Sequence, residues 1–404
     1  MERQKQQRIS EYTNLKIDEN KPESFNRVMK EENSFAVFED GTEGIYYTEG
    51  KMSDDEGFKK ADDNLALERP YKFSLETGKR SRDLTKDILT GEQIKQKSAE
   101  ILDYLNARHP DFIIKEGEFS FYRQTMSMTN SLGLDYKDTD GYTSMYFSFK
   151  HKDSKDITDG YISMQKREFD INKFISHADN ILDAFCNKVE LPDDIILQDT
   201  YYGYLSEFYK YLDAEDIALG TSLFAGKLGQ QVFDERFSLR HDVSDKKAWT
   251  SPFFDGEGVT LDGDSCTYIE NGVILKGYAD KRIADKYGVP HTGSAVRVLS
   301  DIPQNGGVNF HIEQSEKSAR ELLDGRLTVY PIMASGGGFN EKGDYVMPIQ
   351  TGLLCDGEKF IGRLPEFTIA GNLFEMFGSG FIGVTKDETA LGDKSILMKM
   401  KLSK

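Results

Sequence analysis

A chain of 404 residues, 38% hydrophobic and 30% charged, is long enough for two or three buried cores and too apolar to be disordered. Its net charge of −18 argues against a nucleic-acid partner, because phosphate repulsion would have to be overcome by a local basic patch. No run of about eighteen apolar residues is present, Met1–Ser10 lacks a signal-peptide core, and Cys186, Cys266 and Cys355 show no metal-ligand spacing, so the expectation is a reduced, cytoplasmic protein without a membrane partner.

Residues 1–34 are charge-rich and poor in apolar positions, which predicts an arm weakly tied to the rest or helical only in context. Ser34 to Tyr47 reads as a hairpin turning at Asp40-Gly41, a pair that tolerates the positive φ angles of the tight turn. Thr90-Gly-Glu-Gln93 fits a capping box, and Ile94, Ile101, Leu102 and Leu105 predict a helix that ends at His109-Pro110. Alternating runs from Phe112 to about Asp170 predict an antiparallel sheet. Phe174, Ala178, Ile181, Leu182 and Phe185 predict a second helix, with Cys186 a small core residue beside their stripe. The texture changes after Leu191-Pro192. Leu205 to Gly229 reads as a helix followed by a glycine-rich loop. Hairpins follow around Asn271-Gly272 and Asp356-Gly357, with short helical patches at 282–287 and 316–323. The expected fold class is α+β, with an N-terminal α/β domain over 1–190 built of antiparallel sheet and long helices. A C-terminal domain over 191–404 is dominated by antiparallel β-strands.

Few residues signal chemistry on their own. The six histidines are scattered, and each reads first as a surface or satisfied core residue. A zinc site assembled from His241, His311 and Cys355 stays open as an alternative. Asp255 and Glu257, two apart in Ser251-Pro-Phe-Phe-Asp-Gly-Glu-Gly258, could pair as acid and base on a strand. Between glycines they read better as acceptors of backbone hydrogen bonds. Ser335-Gly-Gly-Gly338 lacks the Lys-Ser/Thr of a phosphate-binding loop and reads as a strand connection.

Several segments together resemble the TldD/PmbA family, the "modulator of DNA gyrase" proteins. They are Phe224 to Val232, Ser251 to Val259, Ile269 to Tyr278 with Ala284 to Gly288, Thr292 to Arg297, and Phe367 to Leu373. The match is clear over about 200–390 and fainter before it. The resemblance implies a cytoplasmic heterodimeric zinc peptidase acting on peptides and unfolded proteins. In it one chain carries His-Glu-x-x-x-His and a later cysteine, and the related partner is metal-free. Aligned on Gly220-Thr-Ser222, the two histidine positions fall on Leu205 and Lys210 and the glutamate position on Ser206, with Glu207 offset by one. The tail after Phe381 contains no cysteine. No usual zinc ligand remains, and Lys210 adds positive charge.

The resemblance therefore implies a non-catalytic, TldE/PmbA-like subunit with no catalytic residue, metal or cofactor of its own, zinc belonging to a TldD-like partner. The partner is that catalytic chain or a second copy of this one. Extended peptides would be held by strand addition, with contacts expected at Asp255, Glu257, Gly336, Gly337 and Gly338, and with Ile369, Ala370, Gly371 and Asn372 behind them. Ser294 departs from the family, where a larger amide residue is expected. Two alternatives are an autonomous metal-dependent hydrolase with its site elsewhere and a peptide-binding scaffold without proteolysis.

Overall fold

The computed structural model describes residues 1–403 apart from 87, 88, 248, 297, 298 and 300. Its first sheet comprises β1 (Glu2–Asp18), β2 (Lys21–Glu39), β3 (Thr42–Glu49), β4 (Arg69–Pro70), β5 (Gly78–Asp83), β6 (Phe112–Asn130), β7 (Leu134–His151) and β8 (Gly160–Lys166). The order is β4-β3-β2-β1-β6-β7-β5, with β8 also on β7. Strand β5 pairs in parallel with β7 at 134–139, and every other pairing in this sheet is antiparallel. The four central strands of 17 to 19 residues each extend for roughly 60 Å.

The charge-rich arm expected at 1–34 is instead the centre of this sheet. Strand β1 is hydrogen-bonded to β2 on one side and to β6 on the other for nearly its full length. Its charges are absorbed across strands: Arg8 faces Glu32 at 2.6 Å, and Arg27 meets Glu11 at 2.7 Å. Local composition disfavoured a strand, and pairing with distant neighbours overrode it. The turn at Asp40 (φ 49°) and Gly41 (φ 78°) forms as its chemistry predicts.

Helix α1 is Asp54–Asp63, α2 is Gly91–Arg108 and α3 is Ile171–Cys186. Thr90 closes a full capping box on α2, and Asp170 caps α3. The predicted stripes of α2 and α3 pack on Phe119, Phe121 and Phe147, covering one face of the sheet. Cys186, expected in the core, is exposed: it ends the helix, about 100° around from Phe185.

The rest of the chain forms β9 (Ile195–Asp199), α4 (Ser206–Tyr211), α5 (Ala214–Leu219), β10 (Leu239–Asp242), β11 (Ser265–Glu270), β12 (Val273–Ile274) and α6 (Lys281–Tyr287). Then come β13 (Ala295–Val296), β14 (Gln304–Asn305), β15 (Phe310–Ile312), α7 (Ala319–Leu323), β16 (Thr328–Ala334) and β17 (Gly338–Phe339). Last are β18 (Asp344–Cys355), β19 (Phe360–Arg363), β20 (Phe367–Asn372), α8 (Leu373–Met376), β21 (Phe381–Val384) and β22 (Ile396–Leu402). Strands β16, β9, β22, β20 and β18 pair in that order, and β18 returns to β16, closing a ring. Strands β12-β11-β10-β15 make a separate sheet, and β13 pairs β14. The architecture is α+β. No helix among the described residues is long and apolar enough to cross a membrane.

The hairpin at Asn271 (φ 48°) and Gly272 (φ 78°) forms as expected, whereas Cys355 pairs with Phe360, so Asp356-Gly357 lies in a four-residue loop. The single helix expected from Leu205 is broken into α4 and α5. Leu212 O accepts from Tyr278 N and Ala214 N donates to Tyr278 O, which pulls the backbone out of helical bonding, and Asp213 then caps α5.

Glu32 tests the long hairpin. Burial opposes its charge, but hydrogen bonds from Arg8, Tyr47 and Lys30 prevail and hold its carboxyl down at about 2. Its stabilising contribution is complete above the ordinary 4.5 and is lost as pH falls through 2. Glu32→Gln should lower stability at pH 7 by about 2 kcal/mol in urea denaturation, with the gap to wild type closing toward pH 2. A gap that persists unchanged in acid contradicts this.

Candidate functional site

The α4 region does not offer a zinc site. Leu205 is 2% exposed and packs with Phe208, Tyr211 and Leu212 in the C-terminal core. Ser206 and Lys210 are exposed, and Lys210 Nζ lies 4.8 Å from the Tyr211 ring centroid. Five residues apart, Leu205 faces protein and Lys210 faces solvent, so the two positions do not converge. Glu207 is half-buried, with its carboxyl pushed up by burial. An aliphatic side chain and an ammonium provide no lone pair for a dication, and the residues here do not fit zinc.

The alternative ligand set is not brought together either. His241 Nδ1 accepts from Asn309 N at 2.7 Å, and His311 Nε2 lies 3.1 Å from Lys247 O. Burial lowers both imidazoles to about 4. Cys355 lies in the ring instead, its Sγ accepting from Gly357 N, its thiol pushed up to about 12 by burial. Among the described residues no group of three or more His, Cys, Asp or Glu side chains is arranged to hold a metal ion.

What the family-like segments do build is a buried polar junction. Asp255 Oδ1 accepts from Glu257 N at 2.8 Å and Val259 N at 2.9 Å, and Oδ2 accepts from Ala295 N at 3.0 Å. Asp255 thus fastens the 251–259 turn to β13. Glu257 is 1% exposed; its Oε2 accepts from Lys281 N at 3.1 Å, while Oε1 has no partner. Burial raises Asp255 to about 6, and burial with the Asp255 charge raises Glu257 to about 7. As an acid/base pair they are out of play: one carboxylate is occupied by backbone N–H groups, and the other is sealed from solvent.

Asn305, which sequence reasoning missed, is the hub beside them. Its Oδ1 accepts from Asp280 N at 2.8 Å and Ser294 Oγ at 2.9 Å. Its Nδ2 donates to Asp213 Oδ2 at 3.1 Å and Tyr278 O at 3.2 Å. The amide expected at Ser294 is therefore supplied from β14. Gly277 lets the chain come this close: a Cβ there would stand 2.8 Å from Leu212 O and from Ala214 Cα. The segment at 224–232 joins through Gly229 N to Ile274 O and Val232 N to Gly272 O. Arg297 lies outside the described residues.

A cleft of about 270 Å³ opens next to Asp255, between Arg8 and Gln124 of the first sheet and Phe253, His241 and Gly293. The remaining predicted contacts lie elsewhere. Gly336, Gly337 and Gly338 are exposed and lead into β17, which pairs with β18 on one side and ends the strand order of its sheet. Ile369 and Ala370 are paired on both sides, with β18 and β22, and Ile369 is fully buried. Gly371 and Asn372 pair with Tyr345 and Asp344.

Residues 193–396 match the model of the PmbA/TldA metallopeptidase C-terminal domain. The chain belongs to the PmbA/TldD family. An uncharacterized protein of Methanocaldococcus jannaschii is 26% identical over 62% of the chain, an alignment that spans 59% of that relative. A protein of Archaeoglobus fulgidus named "Metalloprotease" is 21% identical over 92% of the chain and 88% of its own length. The solved structure of TldE from Thermococcus kodakarensis superposes with a TM-score of 0.82 at 18% identity, covering 99% of this chain and 96% of that one. In this PmbA/TldD chain, then, the segments around Asp255, Tyr278 and Ser294 that carry part of the resemblance meet at the Asp255–Asn305 junction, whereas Phe367 to Asn372 forms β20.

The raised Glu257 has a consequence for stability. Its folded value of about 7 exceeds the ordinary 4.5, so its contribution is complete below 4.5 and lost as pH rises through 7. Wild type should lose about 3 kcal/mol through this residue between pH 4.5 and 8, a loss that Glu257→Gln abolishes. Urea denaturation at the two pH values checks it; parallel stability curves for the two proteins contradict it.

Proposed function

We propose that this chain is a non-catalytic, TldE/PmbA-like subunit of a TldD/PmbA-type metallopeptidase complex that processes peptides and unfolded proteins in the cytoplasm. The observation that carries the reading is the orientation of α4: Leu205 is sunk in the core and Lys210 faces water, where a zinc-bearing relative would present imidazoles. Zinc and its bound water then belong to a TldD-like partner, and this chain contributes surface. The open edge of β17 at Gly338 and Phe339 supports a role in holding extended substrate, since an unpaired strand captures peptide by main-chain hydrogen bonds with little regard to sequence. Ile369 and Ala370 support that edge from behind, their own main-chain groups being engaged on both sides.

Co-expression with a His-Glu-x-x-x-His paralogue tests the reading. The expected outcome is a stable complex that cleaves an unfolded polypeptide while this chain alone cleaves none. Cleavage by this chain alone, or a paralogue whose stability and activity are indifferent to its presence, overturns it.

A further inference from the structure

Between the first sheet and the C-terminal strands lies a cavity of about 480 Å³, walled by β8, by the segment after β10 and by the approach to β22. Its described lining carries four lysines, Lys166, Lys246, Lys247 and Lys394, against a single carboxylate, Asp393. In a chain of net charge −18 this is a local reversal of sign, and cavity walls of low dielectric concentrate such a field.

The lysines are not equivalent. Lys166 Nζ lies 3.5 Å from both Glu388 and Asp393, so its charge is balanced. Lys394 Nζ donates to Gln314 Oε1 at 2.5 Å, a neutral partner, and no carboxylate among the described residues forms an ion pair with it. Lys247 is half-buried, and no carboxylate among the described residues lies within ion-pair distance of its Nζ; burial, then the Lys394 charge, push its ammonium below the ordinary value. His177 and His311 also reach the cavity, and burial lowers both to about 4, so they are uncharged at neutral pH. Lys247 thus feels the Lys394 and Arg240 charges with Asp242 and Asp393 acting against them, neither carboxylate paired with it among the described residues, and an arriving anion would relieve the remaining repulsion.

The rest of the lining sets polar side chains, among them Ser163, Gln165 and Gln314, beside an apolar and aromatic part. Trp249 and Tyr330 line the cavity with Leu391, and Trp249 is fixed by stacking on Tyr142 at 5.9 Å and 11°. An inorganic anion would leave this wall unused, and an uncharged apolar molecule would leave the lysines unanswered. The ligand has to carry both an anionic end and an apolar body.

We propose that this cavity binds the free C-terminal carboxylate of a short peptide, Lys247 and Lys394 taking the anion and Trp249 and Tyr330 covering the last apolar side chain. The choice of a peptide as carboxylate bearer rests on the peptide-processing reading above. The site would hold a product or the trailing end of a substrate, without chemistry of its own.

Trp249 is the single tryptophan of the chain, so its emission reports occupancy of the cavity directly. The experiment titrates N-acetyl-trileucine, its C-terminal amide and inorganic phosphate into the full-length chain, with calorimetry in parallel. The expected result is saturable, salt-sensitive binding of the acid, at least tenfold weaker binding of the amide, and none of phosphate alone. Lys247→Gln and Lys394→Gln, each with an unchanged melting temperature, should weaken the acid at least fivefold. Equal binding of acid and amide, phosphate binding as tight as the acid, wild-type affinity in both variants, or no binding by either method overturns the proposal. Failure here leaves the subunit reading untouched, whereas peptidase activity of the chain alone would remove that reading without altering this titration.

Discussion

Asn305 uses its amide for four hydrogen bonds inside the protein, to residues 213, 278, 280 and 294. The partners come from three stretches of chain, at 213, 278–280 and 294, and three of the four lie next to or within the segments that mark the family. Asp255 does the same with a carboxylate, drawing Glu257, Val259 and Ala295 together through their N–H groups. Buried polar groups of this kind are favourable only when every partner is in place, so the junction specifies one arrangement of its segments and penalises others. Lys281 extends it to the first part of the chain through Ser74 O and Glu76, and Gln6 Nε2 reaches Gly256 O. The segments around Asp255, Tyr278 and Ser294 are, in three dimensions, part of the fastening between the long sheet and the rest of the chain.

The functional reading follows from what that fastening leaves free. Its acids are committed to backbone N–H groups or closed off from water, and Leu205 and Lys210 of the α4 region offer no lone pair to a metal. Among the surfaces left open are a strand edge at Gly338–Phe339 and a lysine-rich cavity lined in part by Trp249 and Tyr330. Both suit holding a polypeptide, and neither suits cutting one. The junction and the α4 positions involve different residues, so the fold does not depend on a metal donor at Leu205 or Lys210.

How much of this was legible in the sequence depended on the range of the interaction. The turns at Asp40-Gly41 and Asn271-Gly272 and the capping box at Thr90 are local chemistry, and each forms where its residues place it. The Asp255 turn was legible for the same reason, an aspartate opening a glycine-containing turn and accepting N–H groups two and four residues on. Strands β1 and β2 were not, because their charges are neutralised by strand neighbours that composition cannot reveal. The break between α4 and α5 comes from Tyr278, more than sixty residues away, and Asn305 is an ordinary asparagine until three segments close around it. Of the candidate site, the fates of His241, His311 and Cys355 required the tertiary structure.

The central claim is that this chain cannot hold the metal its relatives are named for. Elemental analysis of the purified chain, produced alone in zinc-supplemented medium and desalted without chelator, tests it most directly. The account predicts zinc far below stoichiometric and no change in melting temperature on adding or chelating the metal. One zinc per chain, removed by chelation with a fall in melting temperature, would contradict it.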